Sequence, residues 1–337
     1  MGPVKWAWVV VAVLAAVLVR LPASTTLAMD EDEPIYLSAS MEAAKAIRDR
    51  DWSRLVTPSL NPEHPGLVKT LNGVVLSRYQ DPPDLVTGLA TVRGLSVLAG
   101  LGAVAIAAAV HPLAGLALAT HTIHAKYSSQ GYLDSLPMLW MSLAMMIAWR
   151  HRRVGTHKIW WLVGGCWGAA IAGKWLHGVP GVVLLLFIPD WRVRGQLVIT
   201  ALVGWFVLDP SMWAGPIDAV VHKGSLHREY AAGLTVETSW YAPLRSMVSG
   251  DPVRWHPGVF PVSLDPVWAG LAVLGLWRSR RDPFARYLMA WMLLPLAVLM
   301  IWSTRWPQHT MVLVMPLCLA AGLVLRRAQS DPPAPTA

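Results

Sequence analysis

Long runs of apolar residues alternate with short polar breaks from residue 4 to residue 325. A helix that crosses a bilayer needs roughly 20 mostly apolar residues. Ten runs reach or approach that length: 4–22, 86–110, 112–125, 132–149, 159–174, 177–189, 195–208, 265–277, 284–302 and 308–325. The pattern predicts an all-α integral membrane bundle of about ten transmembrane helices, with loosely set boundaries where runs are short. Two polar stretches, 23–85 and 209–264, interrupt it. Within the first, 36–50 reads as a helix whose polar face carries Glu42, Lys45, Arg48 and Arg50, a pattern suited to lying along a membrane surface. The expected organisation is one domain, 1–329, with a disordered proline-rich tail, 330–337.

Charge placement orients this bundle. Arg150, Arg152, Arg153 and Lys158 form one basic cluster, and Arg192 with Arg194 a second. Arg278, Arg280, Arg281 and Arg286 form a third, and Arg326 with Arg327 follow the last run. Threading ten spans from an inside N-terminus puts every cluster on one side, as the positive-inside rule requires. The stretches 23–85 and 209–264 then lie outside. The N-terminus also fits a cleaved signal peptide, with a basic start, a short apolar core and small residues near Ala23 to Ala28.

Composition agrees with membrane embedding. Of 337 residues, 55% are hydrophobic and only 14% charged, where soluble domains carry about 25%. The net charge of +8 is dispersed over loop clusters and forms no basic groove, which argues against a nucleic-acid partner. Cys166 and Cys318 lie within apolar runs without zinc-type spacing and read as small hydrophobes.

Five polar segments fall on the predicted outer face. Asp30-Glu31-Asp32-Glu33-Pro34-Ile35-Tyr36 sets four carboxylates in a row. Either it is a solvated acidic loop, or one carboxylate serves as a general base for an acceptor hydroxyl. Asn61-Pro62-Glu63-His64-Pro65-Gly66-Leu67-Val68-Lys69 holds Glu63 and His64 between two prolines. It is an ordinary turn before a helix, or a site for an anion, a sugar or a divalent ion. Two such ligands fall short of the four of a tetrahedral zinc site, and no other cofactor is implied. Lys126 to Asp134 is a short loop ending in a carboxylate that either caps a helix or faces a cavity. Lys174-Trp175 breaks two short runs, and its lysine either snorkels or meets a lipid phosphate. Arg305-Trp306-Pro307-Gln308-His309 is an interfacial anchor, or presents an arginine able to pair twice with phosphate. In 209–264, His222, His227, Arg228 and Glu229 lie on a predicted surface helix.

The order Asp-Glu-x-x-Tyr, His-Pro-x-Leu-x-Lys, a basic residue before Leu-Asp, Lys-Trp and a late Arg-x-Pro-x-His resembles the GT-C superfamily of glycosyltransferases. Within it the motifs are similar to those of protein O-mannosyltransferases and aminoarabinose lipid A transferases, and they span residues 30–309. The resemblance implies a GT-C bundle with interfacial helices in the first outer loop. It also implies transfer of a hexose or pentose from a polyprenyl-phosphate donor, at the extracytoplasmic face of the inner membrane. The implied acceptor-side carboxylates are Asp32, Glu33 and Asp134, with Asp30 an alternative register for Asp32. Lys69, Lys126, Lys174 and Arg305 would hold donor phosphate, and Tyr36, His64, Trp175 and His309 would line the substrate site. Gly66 replaces the usual second proline, Lys126 a more usual arginine, and His309 a frequent tyrosine.

Such an enzyme would invert the anomeric centre. Asp32 would deprotonate a hydroxyl of a glycan, lipid or protein acceptor while lipid phosphate departs opposite. Two other classes compete. A transporter would carry polar groups near the bilayer midplane, whereas these spans show charge chiefly at Arg93. A membrane scaffold would tolerate Asp32→Asn; an enzyme would not.

Overall fold

The computed structural model describes residues 3–152, 157–233, 239–249, 262–302 and 304–325. Arg153, Arg326, Arg327, Ser303 and the tail 330–337 lie outside them, as do 234–238 and 250–261 of the second polar stretch. All described regular structure is helical. Helix α1 (Pro3–Thr26) leads to α2 (Glu33–Asp49), α3 (Ser53–Val56) and α4 (Leu67–Leu76), the short helices of the first polar stretch. Helices α5 (Leu85–Val110), α6 (Pro112–Thr120), α7 (Thr122–Tyr127), α8 (Ser135–His151) and α9 (His157–Gly173) follow. The chain continues through α10 (Trp175–Gly178), α11 (Gly181–Phe187) and α12 (Trp191–Leu208). Helices α13 (Pro216–Gly233) and α14 (Ala242–Ser249) occupy the second polar stretch, before α15 (Asp265–Arg278), α16 (Pro283–Ile301) and α17 (Met311–Gly322).

Among the described residues, four helical segments are long and apolar enough to cross a membrane: Trp6–Thr26, Leu85–Val110, Pro283–Ile301 and Pro307–Leu325. The remaining predicted spans are shorter, or broken where polar residues enter. The run 112–125 divides at His121 into α6 and α7, and the runs 159–174 and 177–189 meet at the extended Lys174. A break in a spanning helix frees backbone groups that only protein or a lined cavity can satisfy. These breaks are therefore where a polar site is expected.

The last long segment, Pro307–Leu325, is 89% buried and is the axis of the bundle, against which α6, α15 and α16 pack. Helices α9 and α12 also pack closely. A Cβ on Gly168 would stand 2.5 Å from the Ala201 carbonyl, and one on Gly164 3.0 Å from that of Leu197. The Gly164-x-x-x-Gly168 pair thus permits backbone approach of the kind common between membrane helices.

Two buried arginines fasten the bundle. Arg20, fully buried in α1, donates to Ser128 Oγ at 2.8 Å, to the carbonyls of Ala119 and Leu118, and to His124 Nδ1 at 2.5 Å. Arg93 of α5 makes a two-pronged bond to Glu33, Nε to Oε1 at 2.8 Å and Nη2 to Oε2 at 2.6 Å. Arg93 is therefore not the chief charge within the spans: Arg20 is its equal, overlooked because it sits near the end of an apolar run. Both guanidiniums are satisfied by several acceptors, the condition under which a buried charge is tolerated.

Candidate active site

Lys174, in the break between α9 and α10, donates to Asp134 Oδ2 at 2.7 Å, and His177 Nε2 lies 3.0 Å from Asp134 Oδ1. All three side chains are buried, Asp134 completely. Asp134 precedes the first turn of α8 yet its carboxylate caps no backbone amide of that helix. The capping alternative is thus replaced by an ion pair across two helix ends. An ammonium has three donors, so Lys174 keeps hydrogen-bonding capacity beyond Asp134.

Lys174 lines a cleft of about 360 Å³ whose walls include Glu63, His64, Trp175, His227, Arg228 and His309. His64 comes from the first polar stretch, His227 and Arg228 from α13, and His309 from the turn before α17. Burial, with the nearby charges of Lys174 and Lys69, pushes the His64 imidazole well below its ordinary range. Burial likewise lowers that of His227. His64 is neutral at neutral pH and offers a hydrogen bond rather than a charge. His309 Nδ1 lies 2.6 Å from the Thr304 carbonyl, and its ring stacks on Trp306 at 5.7 Å.

Asp32 does not line this cleft but contacts Gln308 and Tyr36, which adjoin the lining residues His309 and His64. Its Oδ2 accepts from Gln308 Nε2 at 3.3 Å and from the Tyr36 hydroxyl at 3.5 Å. The Tyr36 ring in turn meets His64 edge-on at 6.0 Å. Burial, reinforced by Asp30 and Asp134 and opposed by Lys174, holds the Asp32 carboxyl above the ordinary carboxylate range. Asp30 behaves oppositely. Its burial is outweighed by Lys126, whose Nζ lies 2.9 Å from Oδ2, and its carboxyl is held below that range. The acidic run is therefore differentiated: Asp30 is paired, Asp32 is half-buried and carries a raised proton affinity, and Glu31 is exposed.

Four expected site residues have other partners. Glu33 is fully buried, and besides Arg93 it accepts the amides of Gly131 at 2.6 Å and Asp30 at 3.0 Å. With both oxygens engaged it fastens the loop that presents Asp32, and the geometry argues against a chemical role. Lys69 donates to the carbonyls of Asn61 at 2.6 Å and His64 at 3.0 Å, so its ammonium braces the turn rather than facing the cleft. Burial, and after it the charge of Lys223, brings the Lys69 amine down to about 7. Lys126 is held by Asp30. Arg305 turns its guanidinium to the Met300 carbonyl, at 2.8 Å from Nη2, in the last turn of α16. The three cations suited phosphate by type, but nearby turn carbonyls claim Lys69, the distant Asp30 claims Lys126 and a helix-end carbonyl claims Arg305. Among the described residues no three His, Cys, Asp or Glu side chains converge as metal ligands, and Glu63 accepts from Asn61 Nδ2 at 2.5 Å.

Several contributors were not among the expected site residues. His177 differs from its neighbours by no sequence signal, and Arg228 and His227 read equally well as a helix coating the surface. Only their convergence on Lys174 and His64 distinguishes them.

No family model matches the chain. It is 27% identical over 237 residues to the undecaprenyl phosphate-alpha-4-amino-4-deoxy-L-arabinose arabinosyl transferase of Pseudomonas paraeruginosa, a match covering 64% of this chain and 41% of that relative. The crystal structure of ArnT from Cupriavidus metallidurans in the apo state superposes with a TM-score of 0.65 at 18% identity, covering 96% of this chain and 60% of that one. ArnT from the same organism bound to undecaprenyl phosphate gives 0.62 at 19% identity, over 96% and 61% of the two chains. The chain thus spans about two-fifths of the curated relative and three-fifths of the solved chains. This likeness establishes the architecture: the chain is an integral membrane protein with the all-α GT-C fold that its motifs resemble.

Proposed function

We propose that this chain is a membrane glycosyltransferase that moves a sugar from a polyprenyl-phosphate donor to a hydroxyl acceptor, with inversion. The observation that carries the reading is the cleft itself. Lys174, oriented by Asp134, shares it with Arg228, His64 and His227, while Asp32 bonds Gln308 and Tyr36 beside the lining residues His309 and His64. In the transfer, Asp32 takes the acceptor hydroxyl proton as the new oxygen–carbon bond forms at the anomeric carbon. The bond from that carbon to the phosphate oxygen breaks, and the phosphate leaves with the electron pair. Negative charge grows on the phosphate, so a cation already fixed beside it lowers the barrier most. Lys174 is held by a buried partner before substrate arrives, and Arg228 can supply paired hydrogen bonds.

The donor class is supported by the shared fold with ArnT, a structure of which is bound to undecaprenyl phosphate. The likeness to an arabinosyl transferase supports a pentose. We assign the site to the extracytoplasmic face of the inner membrane, in a single domain over 1–329, because threading the ten predicted spans from an inside N-terminus sets the basic clusters opposite the stretches 23–85 and 209–264.

The test is turnover of undecaprenyl-phosphate sugars by purified protein beside Asp32→Asn and Lys174→Met. Transfer or hydrolysis in the wild type, lost in Asp32→Asn with donor still bound and with binding weakened in Lys174→Met, supports the roles. Folded protein that binds no lipid-phosphate sugar refutes them.

A further inference from the structure

The turn that carries His64 is gripped from two sides by buried lysines. Lys69, from α4, bonds the carbonyls of Asn61 and His64; Lys223, from α13, bonds those of Pro62 at 2.7 Å and His64 again at 3.0 Å. A third grip comes from Asp209, at the end of α12, whose Oδ1 accepts the Gly66 amide at 2.8 Å. The turn has few means of holding itself. Pro62 and Pro65 carry no amide hydrogen, and Asn61 sits in the left-handed region at φ 54°.

Burying an ammonium is expensive, and a second beside it more so. Lys223 is 3% exposed, as is Lys69. A neutral core residue would cost less if stability alone were served. The position of Lys223 explains its retention. It lies four and five residues before His227 and Arg228 on α13, and residues four apart share a helix face. One helix thus fastens the His64 turn through Lys223 and lines the cleft through His227 and Arg228.

We propose that Lys223 is a positioning residue that fixes the His64 turn against α13 and thereby sets the separation of the two cleft walls that receive the lipid phosphate. The proposal rests on the donor reading above for its ligand, but the fastening itself can be measured without one. A methionine at 223 keeps the aliphatic stem and removes the donors; an arginine restores donors that reach two carbonyls.

The experiment uses the full chain in lipid nanodiscs, with undecaprenyl phosphate as probe. Lys223→Met is expected to raise amide exchange over 60–68 and to weaken probe binding about tenfold, the scale of losing a fixed charged hydrogen bond. Lys223→Arg restores both. In a His64→Ala background Lys223→Met weakens binding no further, because residues acting through one another are non-additive. Unchanged exchange over 60–68, a loosened turn with unchanged binding, or losses that add in the double variant each overturn the proposal. If wild-type protein binds no probe while Lys223→Met loosens the turn, the donor reading fails and the fastening stands.

Discussion

Asp32 and Asp134 are both carboxylates near Lys174, yet their surroundings give them opposite properties. Asp134 is enclosed and shared between an ammonium and an imidazole, while Asp32 has only a tyrosine hydroxyl and an amide as donors. A base must be deprotonated to work, and the proton affinity of Asp32 is raised by burial and by its two carboxylate neighbours. The transfer rate should therefore decline with falling pH at a higher pH than an ordinary carboxylate would give. Asp32→Asn should lose that limb together with about 10²- to 10⁴-fold of the rate, the usual range for a general base. A rate–pH profile whose acid limb persists in Asp32→Asn would assign the proton to another group. Asp134 is predicted to act on stability first. Its replacement by Ala strands Lys174 and His177 in a buried site, a change that costs about 3–5 kcal/mol. Thermal unfolding of the detergent-solubilised variant tests this, and a midpoint equal to wild type would show that the pair is not holding the break between α9 and α10.

Elements were more legible than their partners. The apolar runs located helices or helix pairs, of which four among the described residues are long and apolar enough to cross a membrane. The breaks at His121 and Lys174 carried a signal too, since polar residues there interrupt otherwise apolar runs. What spacing could not show was which acceptor each cation meets. Lys69 and Arg305 have the chemistry of phosphate ligands, and only the folded chain reveals the Asn61 and Met300 carbonyls beside them. The same holds for Glu33, whose partner Arg93 is 60 residues away. That pair joins the first turn of α2 to α5 and also holds the Gly131 amide, so it orders the loop around Asp32 from two directions. Removing Glu33 alone leaves Arg93 buried with only carbonyls as acceptors. Glu33→Met should destabilise by about 3–5 kcal/mol, and the double replacement Glu33→Met with Arg93→Met by less than either Glu33→Met or Arg93→Met alone. Unfolding midpoints of the three variants test it, and simple addition of the two losses would show that the pair is not coupled.

At the scale of the whole molecule, the site is assembled from five places in the chain that are far apart in sequence: the acidic run, the His64 turn, the Lys174 break, α13 and the turn before α17. Nothing local links them; they share one face because the spans between them return the chain repeatedly to the same side. Sidedness is thus a premise of the whole functional reading, and it rests on basic clusters that threading ten predicted spans sets opposite the two polar stretches. Single cysteines read it directly in a background with Cys166 and Cys318 replaced by Ala. Glu31→Cys and Arg54→Cys stand on exposed positions of the first polar stretch, Arg192→Cys and Arg280→Cys on exposed positions of two basic clusters. An impermeant maleimide added to intact cells should label the first two, and the second two only after permeabilisation. The reverse pattern would put the cleft on the cytoplasmic side, where a soluble activated sugar could reach it, and the case for a lipid-linked donor would lose its topological support.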